Sequence, residues 1–260
     1  MGTFSSLWYE LNHLMRALVA WMIAVLVLAA LFFSIGFRQT ELFGRHLVVP
    51  VLTTHSIASQ ALVHMTHDLV PPEVHLIATD PFSTIGLELW FSTLLAFCAM
   101  LPFILIAVLR YLSPALYRNE RNALFMLVLP ALLLFATGAA FSYNLVIPRM
   151  FSFLYGFVPA MGAESLYSLS DFFSNVLSIL VASGFMFELP VCMVLLTYMH
   201  IVRASFWHAH WRGAVLTFLI VTAIFSHDPS GVSMLMLSIP LTIFYFFAMV
   251  LCFRIEKNRA

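Results

Sequence analysis

The sequence has very few charged residues. Only 9% of its 260 residues are Asp, Glu, Lys or Arg, against about 25% in an average soluble domain. Hydrophobic residues make up 62% of the chain, and the mean hydropathy is +0.99. This composition excludes a large soluble domain and predicts one polytopic membrane domain over residues 1–260. The formal net charge is zero and there is no basic run, so no nucleic-acid partner is expected.

The sequence also lacks the residue patterns of catalytic and metal sites. Cys98, Cys192 and Cys252 all fall in apolar runs, without the spacing of a metal site or a disulfide framework. The pair His64 and His67 lacks the glutamate and the helical context of a zinc protease. The serines and histidines form no recognisable nucleophile motif. We therefore expect no catalytic residue, no metal, no cofactor and no enzyme activity.

The sequence contains several long apolar runs. A membrane-spanning helix needs roughly 20 apolar residues. The runs predict an all-α integral membrane protein with six transmembrane helices, at about residues 17–37, 83–110, 123–147, 172–199, 213–225 and 232–253. The fifth run is shorter than a bilayer core of about 30 Å requires, and Pro240 interrupts the sixth, so both are expected to be short spans.

The segments between the runs carry turn signals. Residues 38–80 are expected to form short helices that lie across one face of the membrane. Thr79 and Asp80 are expected to cap the second span, and Pro148 is expected to end the third.

The basic residues predict the orientation of the chain. A cytoplasmic N-terminus leaves Arg38, Arg45 and Arg149 outside and puts the other nine of the twelve basic residues inside. Because cytoplasmic loops carry an excess of Lys and Arg, both termini are expected in the cytoplasm. The nine are Arg16, Arg110, Arg118, Arg121, Arg203, Arg212, Arg254, Lys257 and Arg259.

Two acids lie inside apolar runs. Glu188 is near the middle of the fourth run and precedes Pro190, whose missing N–H allows the helix to bend. An ionised side chain at the bilayer centre costs about 2.5–3.5 kcal/mol, so Glu188 should face a partner helix or a watery cavity. We interpret Glu188 as a functional acid; the alternative is a hydrogen bond to a neighbouring helix purely for packing. Glu88, one to two turns inside the second run, is either functional or a carboxylate that reaches back to the interface.

Four stretches resemble one known family. Residues 111–121 (YLSPALYRNER), 134–148, 187–191 (FELPV) and 80–82 (DPF) are similar to motifs of TatC, the multi-spanning subunit of the twin-arginine protein translocase, in the same order and spacing. The resemblance extends over roughly residues 7 to 252. It implies a twin-arginine signal-peptide receptor and core subunit of a translocase that exports folded proteins across the membrane using the proton-motive force.

The resemblance also implies partners and a location. The expected partners are twin-arginine signal peptides of folded cargo, single-span TatA/TatB-type subunits, further copies of the chain and membrane lipid. The expected location is the cytoplasmic (inner) membrane, as a multi-pass protein.

Site residues follow from the resemblance as well. Glu120 offers a carboxylate that an arginine guanidinium binds in a bidentate manner, which favours Arg over Lys. Glu10 is a second acid on the same side, and Tyr111 stands where the family usually has Phe. We expect signal-peptide binding at Glu10, Tyr111, Glu120 and Arg121. The local alternative for Glu120 is an ion pair with Arg118 or Arg121. Outer-loop and partner contacts are expected at Pro50, Asp80, Pro81, Phe82 and Asp228.

The sequence departs from the family pattern near the expected signal-peptide site and near the expected partner contacts. Asn12 and Leu14 stand at basic positions of the N-terminal motif. Phe225 and Val232 replace polar residues after the fifth span. These departures predict a changed N-terminal site and changed partner contacts.

A rival interpretation is a proton-coupled small-molecule transporter that uses Glu188 as its proton site. The two membrane acids and Pro190 favour it. The absence of an internal repeat, the presence of only six spans and the loop at 111–121 count against it.

Overall fold

The computed structural model describes residues 19–42, 45–52, 55–70, 74–112, 127–156, 165–226 and 231–257. Within these ranges, four helices are long and apolar enough to cross a membrane: Pro81–Leu109, Val128–Tyr155, Leu169–Tyr198 and Val232–Lys257. Two shorter apolar helices are Val19–Ser34 and Trp211–Phe225. The protein is therefore a multi-pass membrane protein. The chain divides into two compact units, Met1–Asp68 with Asp80–Pro114, and Leu69–Thr79 with Ala115–Ala260.

In the described ranges, three helices and a hairpin belong to the first unit. Its elements are α1 (Val19–Ser34), β1 (Ile35–Leu42), β2 (Arg45–Leu52), α2 (Ile57–Leu69) and α3 (Pro81–Leu112). The rings of Trp21 and Phe103 stack with centroids 6.4 Å apart and join α1 to α3.

The long apolar helices agree with the predicted all-α architecture, and the hairpin is a local exception to it. The hairpin corrects part of the prediction of short helices over residues 38–80. β1 and β2 pair antiparallel, with Ile35 opposite Leu52 and Leu42 opposite Arg45. Three valines lie in β2, and β-branched side chains favour a pleated strand over a helix. The expected short helix in this region is present as α2, which follows the hairpin.

The second unit is mainly helical. Its elements are β3 (Val74–Ile77), α4 (Val128–Phe141), a π-helical segment (Ser142–Val146), α5 (Ile147–Tyr155), β4 (Ser165–Ser168), α6 (Leu169–Phe187), α7 (Leu189–Tyr198), α8 (Ala204–Ala209), α9 (Trp211–Ser226) and α10 (Val232–Lys257). β3 and β4 pair in parallel, with Val74 opposite Ser165. Phe172, Phe173 and Leu177 are among the largest fully buried side chains.

The third apolar helix does not end at Pro148, contrary to the prediction. In the π-helical segment, the Ile147 N–H donates to the Ser142 carbonyl, five residues back. Pro148 consequently lies in the first turn of α5, where a missing N–H costs nothing, and the helix continues to Tyr155.

The helix at the sixth predicted span is also longer than expected. α10 has 26 residues, about 39 Å at 1.5 Å per residue, and it continues through Pro240. Transmembrane helices tolerate such a proline because neighbouring groups satisfy the freed carbonyl. By contrast, α9 has 16 residues, about 24 Å, and is short as the sequence predicts.

Candidate functional site

The fourth apolar helix is interrupted at Glu188, as Pro190 predicted. α6 ends at Phe187 and α7 begins at Leu189. The Glu188 N–H donates to the Phe185 carbonyl at 3.1 Å, three residues back, and the Glu188 carbonyl accepts from the Cys192 N–H at 3.0 Å. Pro190 lies in the first turn of α7, where its missing N–H is tolerated. The break places an acid at a helix junction inside an apolar span.

The Glu188 carboxyl group is half-buried and incompletely satisfied. Its Oε1 atom is inaccessible to solvent and has no hydrogen-bond partner among the described residues. The alternative interpretation needs a hydrogen bond from a neighbouring helix to the carboxyl group. In the part of the chain that the structure describes, no group donates such a bond to Oε1. A polar atom buried without a partner costs about 1–3 kcal/mol.

Aromatic packing holds the residue before Glu188 in place. Phe187 is buried, with ring centroids 5.8 Å from Phe141 and 5.1 Å from Phe244. These contacts join α6 to α4 and to α10. Glu188 therefore lies at a junction that follows directly on a well-packed helix end.

Small residues let α4 and α6 approach closely. The Ser183 Oγ donates to the Gly138 carbonyl at 3.0 Å. A Cβ atom at Gly138 would lie 2.7 Å from the Ser183 carbonyl oxygen, so only glycine fits. A Cβ atom at Gly184 would lie 2.7 Å from the Phe135 ring. Close approach through small residues and a polar contact is a common mode of helix packing in membranes.

The start of α3 has the predicted cap. The Ser83 N–H donates to Asp80 Oδ2 at 3.0 Å, and the Ser83 Oγ donates to the Asp80 carbonyl at 2.7 Å. Pro81 takes the first helical position, which suits its fixed φ angle. Phe82 follows with 82% of its side chain exposed, so a large aromatic ring is available to lipid or to another protein.

Glu88 has a partner that the sequence analysis missed. The Ser56 Oγ donates to Glu88 Oε1, and the same Ser56 Oγ accepts from the Ser59 N–H at 2.9 Å. Ser56 is thus the cap of α2, and the Glu88 carboxyl group contacts the N-terminal end of that helix. A serine directly before the apolar run from Ile57 was the available signal for this cap.

The remaining candidate residues have little or no description in the structure. Tyr111 lies in the last turn of α3, and Pro50 lies in β2 opposite Phe37. The side chains of Tyr111 and Pro50 are outside the described part of the structure. Four candidate residues lie wholly outside the described ranges: Glu10, Glu120, Arg121 and Asp228. Their roles stay predictions.

Comparisons with known proteins agree on one family. A family model described as "Sec-independent protein translocase protein (TatC)" matches residues 10–240. The TatC protein of Cenarchaeum symbiosum (strain A) is 32% identical over 250 residues, which cover 96% of this chain and 95% of that protein. The TatC protein of Deinococcus radiodurans is 32% identical over 175 residues, 67% of this chain and 63% of that protein. A crystal structure of a twin-arginine translocase receptor TatC superposes with a TM-score of 0.76 at 24% identity, covering 95% of this chain and 99% of that chain.

Proposed function

This chain belongs to the TatC family of Sec-independent protein translocase proteins, and we propose that it is the twin-arginine signal-peptide receptor and core subunit of its translocase. The family match over residues 10–240 carries this conclusion. A role as a subunit of the twin-arginine translocase follows from membership, and TatC is a translocase component and not an enzyme family. Membership gives no support to the alternative, a proton-coupled small-molecule transporter that uses Glu188.

The proposed setting is the cytoplasmic (inner) membrane, with six spans and both termini in the cytoplasm. The six would be α1, α3, α4 with α5, α6 with α7, α9 and α10. The distribution of basic residues supports this orientation. Folded cargo would cross with the proton-motive force as the energy source, and the chain itself would make or break no covalent bond.

The proposed signal-peptide site lies around the first cytoplasmic loop. Tyr111 is in the last turn of α3, and the predicted cytoplasmic loop with Glu120 and Arg121 follows it in the sequence. Glu120 would accept a bidentate hydrogen bond from one arginine of the signal peptide, and Glu10 would face the second arginine. Tyr111 would pack on a guanidinium group or on the apolar part of the peptide.

Photocrosslinking tests this site. A crosslinker at position 120 or 111 is expected to capture a twin-arginine signal peptide in membranes and not a peptide with two lysines, because lysine cannot form the bidentate pair. A crosslinker at Phe82, exposed and predicted on the outer side, is the control. Equal capture of both peptides at 120 and 111, or none, would contradict the proposal.

Glu188 is proposed as the intramembrane functional acid. A hydrogen-bond donor from beyond the described residues would satisfy its Oε1. Water drawn into the bilayer near the signal peptide would supply one, and so would a polar residue in the span of a TatA/TatB-type subunit. The proposed partner contacts on the outer side are Pro50, Asp80, Pro81, Phe82 and Asp228. The exposure of Phe82 supports a contact there.

A further inference from the structure

We propose that the segment between α7 and α9 forms a binding site for the headgroup of an anionic phospholipid. An open groove of about 580 Å³ lies along this segment. Its lining residues are Ile201, Val202, Arg203, Ser205, Phe206 and Ala209. The proposal concerns lipid and does not depend on signal-peptide recognition.

The groove has both an apolar and a polar part. Ile201 and Phe206 are 62% and 46% exposed, which is a large exposure for such side chains. Arg203 and Ser205 are exposed beside them. A guanidinium group and a hydroxyl are donors that suit a phosphodiester, and exposed isoleucine and phenylalanine suit the first methylenes of an acyl chain.

The position along the chain places the groove at the membrane surface. It follows directly on the long apolar helix Leu169–Tyr198 and precedes the apolar helix Trp211–Phe225. The guanidinium of Arg212 lies 5.4 Å from the centre of the Trp211 ring. Tryptophan and arginine at the ends of apolar helices are typical of the headgroup region.

Three hydrogen bonds fix α8, so the groove is formed before any ligand arrives. The Trp207 Nε1–H donates to Thr197 Oγ1 at 3.0 Å, and the Tyr245 hydroxyl donates to the Trp207 carbonyl at 2.7 Å. The Ala204 N–H donates to Glu256 Oε2 at 3.0 Å. A rigid site loses less conformational entropy on binding than a mobile loop.

The charge around the groove favours an anion. The last turn of α10 carries Arg254 and Lys257, and the rings of His208 and Phe253 lie 6.3 Å apart, so this turn is close to α8. The carboxylate in the same turn, Glu256, already accepts the hydrogen bond from Ala204. A basic residue near an anionic membrane surface improves binding by about 1 kcal/mol, which is roughly fivefold.

The apolar part of the groove selects a lipid over a soluble anion. Inorganic phosphate would use Arg203 and Ser205 alone and leave Ile201 and Phe206 exposed. A phospholipid covers both parts. The expected ligand is therefore a lipid headgroup, and the experiment distinguishes it from free phosphate.

Quenching of tryptophan fluorescence by brominated lipids tests the site. In a variant with Trp8→Phe, Trp21→Phe and Trp90→Phe, the remaining reporters are Trp207 and Trp211 beside the groove. In nanodiscs, brominated phosphatidylglycerol is expected to quench at roughly fivefold lower mole fraction than brominated phosphatidylcholine. Arg203→Gln should remove this preference, and Arg149→Gln, at an exposed arginine in α5, should leave it unchanged.

The quenching experiment has outcomes that would contradict a lipid site. Equal quenching by the two lipids, or a preference that survives Arg203→Gln, would overturn it. Competition by inorganic phosphate at constant ionic strength would instead indicate a site for soluble anions. Should the tryptophan variant not fold, native mass spectrometry of the otherwise unchanged chain with and without Arg203→Gln measures the phosphatidylglycerol that stays bound. No loss of bound lipid on substitution would contradict the proposal.

Discussion

At the scale of single residues, the contact between α4 and α6 depends on glycine at two positions that are not equivalent. At Gly138 an added Cβ would meet the Ser183 backbone carbonyl, which cannot move without moving α6. At Gly184 it would meet the outer atoms of the Phe135 ring, and a side chain adjusts more readily than a backbone carbonyl. Gly213 in α9 has nothing within 4 Å of such an atom.

Gly138→Ala is therefore expected to destabilise the protein more than Gly184→Ala, and Gly213→Ala is the matched control. Overpacking costs about 1–3 kcal/mol, against a gain of up to about 1 kcal/mol when alanine replaces glycine in a helix. The measurement is the temperature at which the buried thiol of Cys252 becomes reactive in detergent, with Cys98 and Cys192 replaced by alanine. Equal transition temperatures for the three variants would contradict the packing described.

At Glu188, the proposed function and the stability of the fold are expected to conflict. Because Oε1 is buried without a partner among the described residues, Glu188→Leu is expected to raise the free energy of unfolding by about 1–3 kcal/mol. The same change should abolish export of a folded twin-arginine cargo if Glu188 is the functional acid.

The control is Glu188→Gln, which keeps the shape and the hydrogen-bonding capacity of the side chain. It should gain less stability and keep more export than Glu188→Leu. Thermal unfolding in detergent and cargo export in membranes are measured on the same variants. A loss of stability in Glu188→Leu would mean that the carboxyl group has a partner in the folded protein.

Among the structural elements, α2 and α3 are joined by a polar contact between the side chains of Ser56 and Glu88, which are 32 residues apart in the chain. The Ser56 hydroxyl joins the Glu88 carboxylate to the N-terminal end of α2, where a negative charge is favourable. A hydrogen bond to a charged group contributes about 1.5–3 kcal/mol. This contact is expected to keep α2 docked on α3.

A double-mutant cycle tests the attachment. The reporter is a thiol introduced by Ala58→Cys at a fully buried position of α2. Ser56→Ala and Glu88→Gln should each increase the reactivity of this thiol. In the double variant, the combined effect should be less than additive. The expected increase is on the order of tenfold. Thr93→Ala removes an exposed hydroxyl that donates to the Leu89 carbonyl of its own helix, and it is the control. Strict additivity would show that the two side chains act independently.

Elements differ in how well the sequence predicted them. The predicted second and fourth spans lie within the observed helices Pro81–Leu112 and Leu169–Tyr198 to within a few residues, since apolar length and flanking caps are local features. The hairpin over 35–52 was missed because each strand needs the other as its partner. The continuation past Pro148 was missed because a single proline normally ends a helix, and only the π-helical segment before it relieves that constraint.

At the scale of the whole molecule, the proposed topology is testable by thiol labelling. In a chain without native cysteines, a thiol from Val63→Cys, on the exposed face of α2, should react with a membrane-impermeant reagent added outside. Thiols from Ser5→Cys and Ala260→Cys should react only after permeabilisation. The physical reason is that nine of the twelve basic residues lie on the proposed inner side. Labelling of either terminus from outside would refute the orientation.

Composition and motifs were sufficient to identify a multi-pass membrane protein of the TatC family. A bilayer core of about 30 Å imposes the length of an apolar run whatever the run later packs against, so composition alone reveals the spans. Three features became apparent from the folded chain alone: the β-hairpin, the contact of Gly138 with Ser183 and the contact of α2 with Glu88. Those features join residues far apart in the chain, and their stability comes from close packing and matched donors and acceptors, which no local pattern encodes.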